Sequence, residues 1–334
     1  MENENYQITI DNSFKCFFSS FFQLTCLSNL NKQVCCCIIK VNQEVNVIFD
    51  YFMKINLEYN IKKDIEFIKE AEKIDDDELA KSTTVSRTTL EEINKKGVCN
   101  LNVCEKIYSY IYNKKYRLNS VKEEILSERY NIILFHGSKK GLTNISCDGS
   151  RDNCDFGNGF YLGENYNQAL SFVFEYENSS VYSFAFNNNN LKVYKFECDL
   201  EWMLVVCYYR GTLNEYANHK KVLDIIDKIK NVDVIIAPIA DNKMFYIMSQ
   251  FAEGEINADV AIHSLSASKL GVQYILKTDK AIDSLVPIEK YYICKEERND
   301  CQINLEKRGY EIDNKLKVAK REFKEGLYID EVFK

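Results

Sequence analysis

Short apolar runs alternate irregularly with amphipathic runs between residues 119 and 290, and this pattern constrains the fold more than any other feature. The runs predicted to be strands are Asn131–Phe135, Gly159–Gly163, Val181–Phe186, Leu191–Phe196, Val232–Ala237 and Val272–Lys277. The runs predicted to be helices are Asn167–Tyr176, His219–Ile229 and Lys243–Glu253. A regular strand–helix repeat would indicate a doubly wound parallel sheet, whereas this irregular order favours a mixed α+β domain.

The segment with the strongest site-like character joins a strand end to a glycine-rich turn. The run Asn131–Phe135 ends on His136 and Gly137, and the chain holds only three histidines. Further on, two glycines precede Tyr161 in the sequence "GNGFY". Polar residues at strand ends, beside glycines that let a ligand approach the backbone, are where binding sites are usually built. Taken singly, His136 would be a structural histidine and Tyr161 a core residue; their grouping suggests a slot for a flat aromatic amide.

Composition excludes several classes of protein. A hydrophobic content of 46% argues against global disorder, and a net charge of −7 gives no general electrostatic case for nucleic-acid or membrane binding. The thirteen cysteines form no CxxC pair, so we expect free thiols in a reducing cytoplasm and no metal site. The acidic start Met1–Asn5 and the short apolar stretch 14–27 predict neither an export signal nor a transmembrane helix.

Four successive regions are predicted. Residues 1–50 form an N-terminal segment of unknown role, read as a small cap or packing segment, and residues 51–118 a small all-α domain of short helices. Residues 119–293 form the α+β body, and residues 294–334 a charged, helical C-terminal extension. In the all-α domain, Ser86 is a good N-cap for a helix that Gly97 ends.

The sequence "LAKSTTVSRTTLEEI" at the centre of the all-α domain resembles the helix-turn-helix of phage-repressor-like transcription regulators. The resemblance implies that the second helix of the pair enters the DNA major groove, with Ser86, Arg87, Thr88 and Thr89 at the nucleic acid. Between Asn60 and Leu118, however, twelve Lys and Arg stand against eleven Asp and Glu. Since phosphate contacts dominate DNA affinity, a protein-interaction or dimerisation module is the alternative.

The second half of the chain, from about Asn131 to Tyr292, resembles a bacterial family of unknown function that is grouped with the ADP-ribosyltransferases. The resemblance rests on "LFHGS", "DFGNGFYLGENYNQALSF", "VVCYYRG", "IIAPIADNKMF" and "GVQYILKTDKAI". It implies an ADP-ribosyltransferase-like split β-sheet core with flanking helices. The first two motifs look like the NAD⁺ pocket of the diphtheria-toxin and poly-ADP-ribose-polymerase branch.

That resemblance implies a role for each matching residue. His136 would bind a hydroxyl of the nicotinamide ribose, and the backbone of Gly137 would hold the nicotinamide carboxamide. Tyr161 would stack on the nicotinamide ring, so that the glycosidic bond is oriented for cleavage. Ser138 and Gly159 would complete the NAD⁺ pocket.

The position of the polymerases' catalytic glutamate matches Gln273 in this chain. A glutamine can bind a ribose hydroxyl but brings no charge to the transition state. This puts polymer elongation in doubt and leaves mono-ADP-ribosyl transfer, NAD⁺ hydrolysis or binding alone. Asp155, Glu164 and Asp241 are alternative acids among which the sequence does not choose.

The resulting hypothesis is an NAD⁺-dependent ADP-ribosyltransferase that modifies a protein or a nucleic acid, as a toxin or phage-defence effector. The alternatives are a non-catalytic NAD⁺- or nucleotide-binding regulator and a purely structural interaction protein. A Rossmann site is excluded because "GNG" lacks the third glycine, and P-loop chemistry is excluded because no GxxxxGK[ST] exists. His263 and its neighbouring serines have no nucleophile elbow around them, which argues against a serine hydrolase.

Overall fold

The computed structural model describes residues 39–41, 44–46, 53–55, 57–150, 153–266 and 271–334. Predictions for residues 1–50 therefore lie outside the described residues, except for β1 (Ile39–Val41) and β2 (Glu44–Asn46), which pair with each other antiparallel. The next strand, β3 (Met53–Lys54), pairs with β5 (Asn144–Ile145).

Four short helices pack around one apolar cluster in the first half of the described chain. They are α1 (Ile61–Glu72), α2 (Asp76–Thr83), α3 (Arg87–Lys96) and α4 (Leu101–Asn113). The predicted N-cap is confirmed, because the Ser86 side chain accepts the backbone N–H of Thr89. The predicted stop is also confirmed: Gly97 ends α3 at a φ of 73°, a conformation that disfavours other residues. Leu79, Leu90 and Ile107 lie in the shared core.

A seven-stranded sheet forms the centre of the α+β body, and all six predicted strands are present in it. In sheet order the strands are β11 (Leu285–Tyr292), β7 (Ser180–Phe186), β4 (Ile133–Ser138), β6 (Phe160–Gly163), β10 (Val272–Leu276), β9 (Val234–Pro238) and β8 (Val193–Lys195). Neighbours are antiparallel except β8 and β9, which are parallel. The predicted mixed α+β class is thus confirmed.

One prediction about the central strand was wrong. We expected the strand to end at Phe135, but β4 continues through His136 and Gly137 to Ser138. The reason is the pairing with β7, which extends over six successive positions of β4. This pairing keeps the chain extended beyond the apolar residues. On the other side, β4 pairs with β6 at a single position, Phe135 with Gly163. The sheet therefore splits between β4 and β6 beyond Phe135.

Further helices connect and flank the strands of the described chain. They are α5 (Leu118–Arg129), α6 (Tyr166–Ser171), α7 (Leu200–Tyr209), α8 (Lys220–Ile229), α9 (Asn242–Ala252), α10 (Ala258–Ser266), α11 (Asp279–Ile282), α12 (Lys295–Glu322) and α13 (Ile329–Val332). The predicted helices at α8, α9 and α12 are confirmed. The helix predicted to reach Tyr176 is shorter, because α6 ends at Ser171.

The all-α region docks on β11 and α12 through polar contacts. The Tyr292 hydroxyl donates to a Glu105 carboxylate oxygen at 2.8 Å, and the Ser109 hydroxyl donates to Glu296 at 2.6 Å. Beneath them, the ammonium of Lys122 pairs with Asp64 at 2.7 Å and with Glu289 at 2.6 Å. A small cavity of about 30 Å³ lies in this junction.

No helix in the described ranges is long and apolar enough to cross a membrane.

Candidate functional site

The split between β4 and β6 exposes the peptide groups of Gly137. In an antiparallel strand, the N–H and C=O of one residue point the same way, and successive residues alternate. The Tyr161 carbonyl points toward β4, since it accepts a hydrogen bond from His136. Gly163, two residues on, points the same way and pairs with Phe135. Gly137 lies two residues after Phe135, so by the same alternation its N–H and C=O also point toward β6. They therefore point into the gap, opposite Tyr161.

His136 is held in one tautomer. Its Nδ1 lies 2.8 Å from the Tyr161 carbonyl oxygen. A carbonyl only accepts, so Nδ1 carries the proton and Nε2 keeps its lone pair in the neutral ring. Burial lowers the pKa of His136 below its ordinary value, which favours the neutral ring at pH 7. The ring stacks on Phe160 with centroids 4.4 Å apart, so its orientation is fixed from two sides.

Tyr161 and His136 project from opposite faces of the sheet. The pairing of Phe135 with Gly163 places Gly137, not His136, opposite Tyr161. Because side chains alternate between the two faces along a strand, His136 points to the face opposite that of Tyr161. The gap is therefore bounded by the imidazole on one face and by the tyrosine ring on the other. The two residues are joined across the gap by backbone contact, because the Nδ1–H of His136 donates to the Tyr161 carbonyl.

The glycine-rich turn is fastened to Tyr161. The tyrosine hydroxyl donates to the Gly157 carbonyl at 2.7 Å and accepts the Phe156 N–H at 3.1 Å. The ammonium of Lys277 donates to the Phe156 carbonyl at 2.8 Å and also to the Asn158 carbonyl. These bonds fix both the turn and the direction of the half-buried Tyr161 ring.

The glycines of the two motifs serve close packing. A Cβ on Gly137 would stand 2.4 Å from the Ala169 carbonyl oxygen of α6, so only glycine fits beneath that helix. A Cβ on Gly159 would stand 2.5 Å from a methyl of Ile275. Ser138 donates its hydroxyl to the Gly141 carbonyl at 2.6 Å, which leaves its oxygen lone pairs as acceptors.

Gln273 belongs to a buried polar network. Its amide nitrogen donates to Asp155 Oδ2 at 2.9 Å and to the Pro238 carbonyl at 3.1 Å. The other oxygen of Asp155 accepts from the Nε of Arg210 at 2.7 Å and from its Nη2 at 2.5 Å, and Nη2 also donates to the Ala240 carbonyl at 2.9 Å. A glutamine suits this position because its amide faces two acceptors. A glutamate would set a second carboxylate against Asp155.

The alternative acids each have a structural partner. Asp241 caps α9 by accepting the Met244 N–H at 2.9 Å. Glu164 follows the end of β6 and accepts the Val272 N–H at 3.2 Å, although its side chain is exposed. The side chain of Arg210 is directed at Asp155.

The residues predicted to contact nucleic acid lie at the start of α3. The Arg87 guanidinium donates to both carboxylate oxygens of Asp77, at 2.7 and 2.8 Å, and to Glu91 at 3.3 Å. The Ser86 hydroxyl is used by the helix cap, and Thr88 is exposed. The positive charge of this helix end is therefore paired within the fold.

Sequence reasoning missed the Asp155–Arg210 pair and the contacts of Lys277. The available signal was the burial of charge in apolar surroundings: Arg210 follows the apolar run of α7, and Asp155 precedes Phe156 in the glycine-rich motif. Because buried charges are usually paired, an ion pair between these two residues could have been predicted.

Two cavities in the described part of the chain lie away from the gap between β4 and β6. One is the small cavity of the α4–α12 junction, and the other is a groove of about 490 Å³ beside α7 and α8. His136, Gly137 and Tyr161 line neither. Over the described ranges, no group of three or more His, Cys, Asp or Glu is placed to hold a metal ion.

One family model matches part of the chain. Residues 132–286 match the model of a family described as protein of unknown function (DUF3990). The match covers β4 to the start of β11 and includes His136, Gly137, Tyr161 and Gln273. No curated protein and no solved structure gives a significant match.

Proposed function

We propose that this protein binds NAD⁺ in the gap between β4 and β6, cleaves the nicotinamide–ribose bond and transfers ADP-ribose to a macromolecule. The observation that carries the proposal is the placement of the Gly137 peptide groups opposite Tyr161, where the ladder between the two strands stops. One N–H and one C=O pointing into a gap match the C=O and NH₂ of a carboxamide. An aromatic ring beside them suits a pyridine face.

Each residue around the gap would bind a different part of NAD⁺. Gly137 fixes the carboxamide, and Tyr161, held by its own hydroxyl, stacks on the ring. His136 offers the Nε2 lone pair to a ribose hydroxyl. Together these contacts orient the bond between C1 of ribose and the pyridine nitrogen. When that bond breaks, its electron pair goes to the nitrogen, and an acceptor nucleophile bonds to C1 and loses its proton.

The electrostatics of the gap favour a single transfer or hydrolysis over polymer elongation. Gln273 is neutral, and the adjacent Asp155 carboxylate is paired with Arg210. The remaining oxygen of the Gln273 amide is the group that would accept a ribose hydroxyl. Without a free carboxylate at this position, stabilisation of the positively charged sugar is weak.

The same network favours a second candidate, a regulator that binds NAD⁺ or a related nucleotide without chemistry. In both cases the α1–α4 region would bring the protein to its partner. Because Arg87 is paired with Asp77, a protein partner is a better fit than DNA. A role as a toxin or phage-defence effector would follow from NAD⁺ consumption and rests on fold-level analogy.

Turnover and binding measured side by side test both candidates. Purified protein is incubated with NAD⁺, nicotinamide release is followed, and NAD⁺ binding is measured by calorimetry. If the protein is the enzyme, His136→Ala and Tyr161→Ala should abolish release. His263→Ala is the control and should leave release unchanged, because His263 is exposed on α10 and its ring packs on Phe323. Binding without release selects the regulator. If the unaltered protein shows neither binding nor release, both candidates are rejected.

A further inference from the structure

Two thiols meet at the start of α4. Cys99 lies in the loop after Gly97, and Cys104 lies in the first turns of the helix, beyond its N-cap Asn100. Their sulfur atoms are 3.0 Å apart. This is about 1 Å longer than the S–S bond of ~2.05 Å, so a small side-chain movement would join them.

The two thiols have different environments. Cys99 is half-buried and accessible from solvent, whereas Cys104 is 1% exposed and packs in the core of the four helices. The hydrogen bond with Cys104 lowers the pKa of Cys99, and its place before a helix N-terminus also favours a thiolate. The same hydrogen bond and burial raise the pKa of Cys104. Cys99 is therefore the thiol that reacts first with an oxidant, with Cys104 beside it.

We infer that Cys99 and Cys104 form a reversible redox-active pair, a modification site that closes to a disulfide under a hydroperoxide. The Cys99 thiolate attacks the peroxide, so that an S–O bond forms, the O–O bond breaks and an alcohol or water leaves. The Cys104 thiol then attacks the sulfur of the sulfenic acid, and water leaves with the hydroxyl and the thiol proton. Two electrons pass from the two thiols to the peroxide.

The disulfide would fix the loop between α3 and α4. That loop adjoins the contact of the helical region with the sheet, because the Tyr292 hydroxyl meets the Leu101 carbonyl at 3.3 Å and Glu105 at 2.8 Å. Closing the ring from Cys99 to Cys104 restricts the loop in every state of the chain. We expect oxidation to slow hydrogen exchange at the end of α3 and the start of α4.

Peptide mapping tests the pair directly. Trypsin cleaves after Lys96 and Lys106, so both cysteines fall in the single peptide Gly97–Lys106. The full-length protein is treated with hydrogen peroxide, alkylated under denaturing conditions and digested. The expected peptide has lost two hydrogen atoms and two alkylatable thiols, and dithiothreitol restores both.

Variants separate the pair from general oxidation. Cys99→Ser removes the attacking thiol, and its peptide should keep one alkylatable Cys104 after treatment. Cys147→Ser is the control, because burial raises the pKa of that half-buried thiol to about 12 and the pair should close as before. A peptide that keeps both thiols alkylatable, or that accumulates separate sulfinic acids, overturns the inference.

Discussion

Replacing Glu297 with glutamine should change how the stability of the protein depends on pH. Glu297 lies in the first turn of α12 and is 9% exposed. Burial raises the pKa of its carboxyl to about 7, although a hydrogen bond with Tyr166 and the positive charges of Arg117 and Arg298 oppose the rise. The folded protein therefore holds this proton more tightly than the unfolded chain does.

The sign and size of the effect follow by linkage. The stability that the bound proton contributes is full below the ordinary pKa of about 4.5 and is lost as the pH rises through about 7. The difference between the two pKa values corresponds to about 3 kcal/mol. Glutamine carries no titrating proton, so Glu297→Gln removes this loss. The free energy of unfolding of the variant, relative to the unaltered protein, should rise by about 3 kcal/mol between those two pH values and then stay constant.

Urea unfolding, followed by the fluorescence of the buried Trp202, measures these free energies across the pH range. Glu296 supplies the matched control. Burial acts to raise its pKa, but hydrogen bonds from Ser109 and Asn113 bring the pKa below its ordinary value. Glu296→Gln should therefore give a variant whose relative stability does not rise over the same interval. Parallel curves for Glu297→Gln and the unaltered protein would refute a buried, neutral carboxyl at this junction.

Three further substitutions test the packing and charge of the fold. Gly137→Ala places a Cβ against the Ala169 carbonyl and should cost about 1–3 kcal/mol of stability in urea unfolding; an unchanged midpoint would contradict the close approach of α6. Gln273→Glu sets a carboxylate against Asp155 and should lower the melting temperature at neutral pH, with partial recovery in acid; equal melting temperatures at neutral pH would contradict the network. Lys122→Met leaves the buried Asp64 carboxylate and the half-buried Glu289 carboxylate without their cation and should cost about 3–5 kcal/mol, whereas a cost below about 1 kcal/mol would indicate solvated carboxylates.

The order of helices and strands in the body could be predicted from apolar periodicity and from caps. The strands around Phe135 and Ile275 are short apolar runs, and Ser86 and Gly97 mark the ends of α3 with side-chain and backbone chemistry that acts locally. Strand β11 was missed because Pro287 and Glu289 interrupt its apolar pattern. Its pairing with β7 is long-range, and no local signal encodes it.

The site could be predicted only in part. The sequence indicated that His136, Gly137 and Tyr161 belong together, and the sheet brings the three to one gap. It did not indicate that β4 continues past Phe135, because β7 supports that extension. It also suggested a functional reason for Gly137, whereas contact with α6 already requires a glycine there.

The sequence also did not explain why a glutamine stands at position 273. From the sequence it is a residue that lacks the charge expected of a catalytic acid. In the structure its amide donates to Asp155 and to the Pro238 carbonyl, and this explains why an amide stands there. Such a network joins residues far apart in the chain, so a single sequence does not reveal it.

A crystal structure of the protein with nicotinamide or NAD⁺ would show whether the gap between β4 and β6 is the binding site. We expect the carboxamide in that gap, with its oxygen at the N–H of Gly137, its nitrogen at the Gly137 carbonyl and its ring against Tyr161. A ligand bound elsewhere, or a gap in which β6 pairs with Gly137 and leaves no room for the ring, would contradict it.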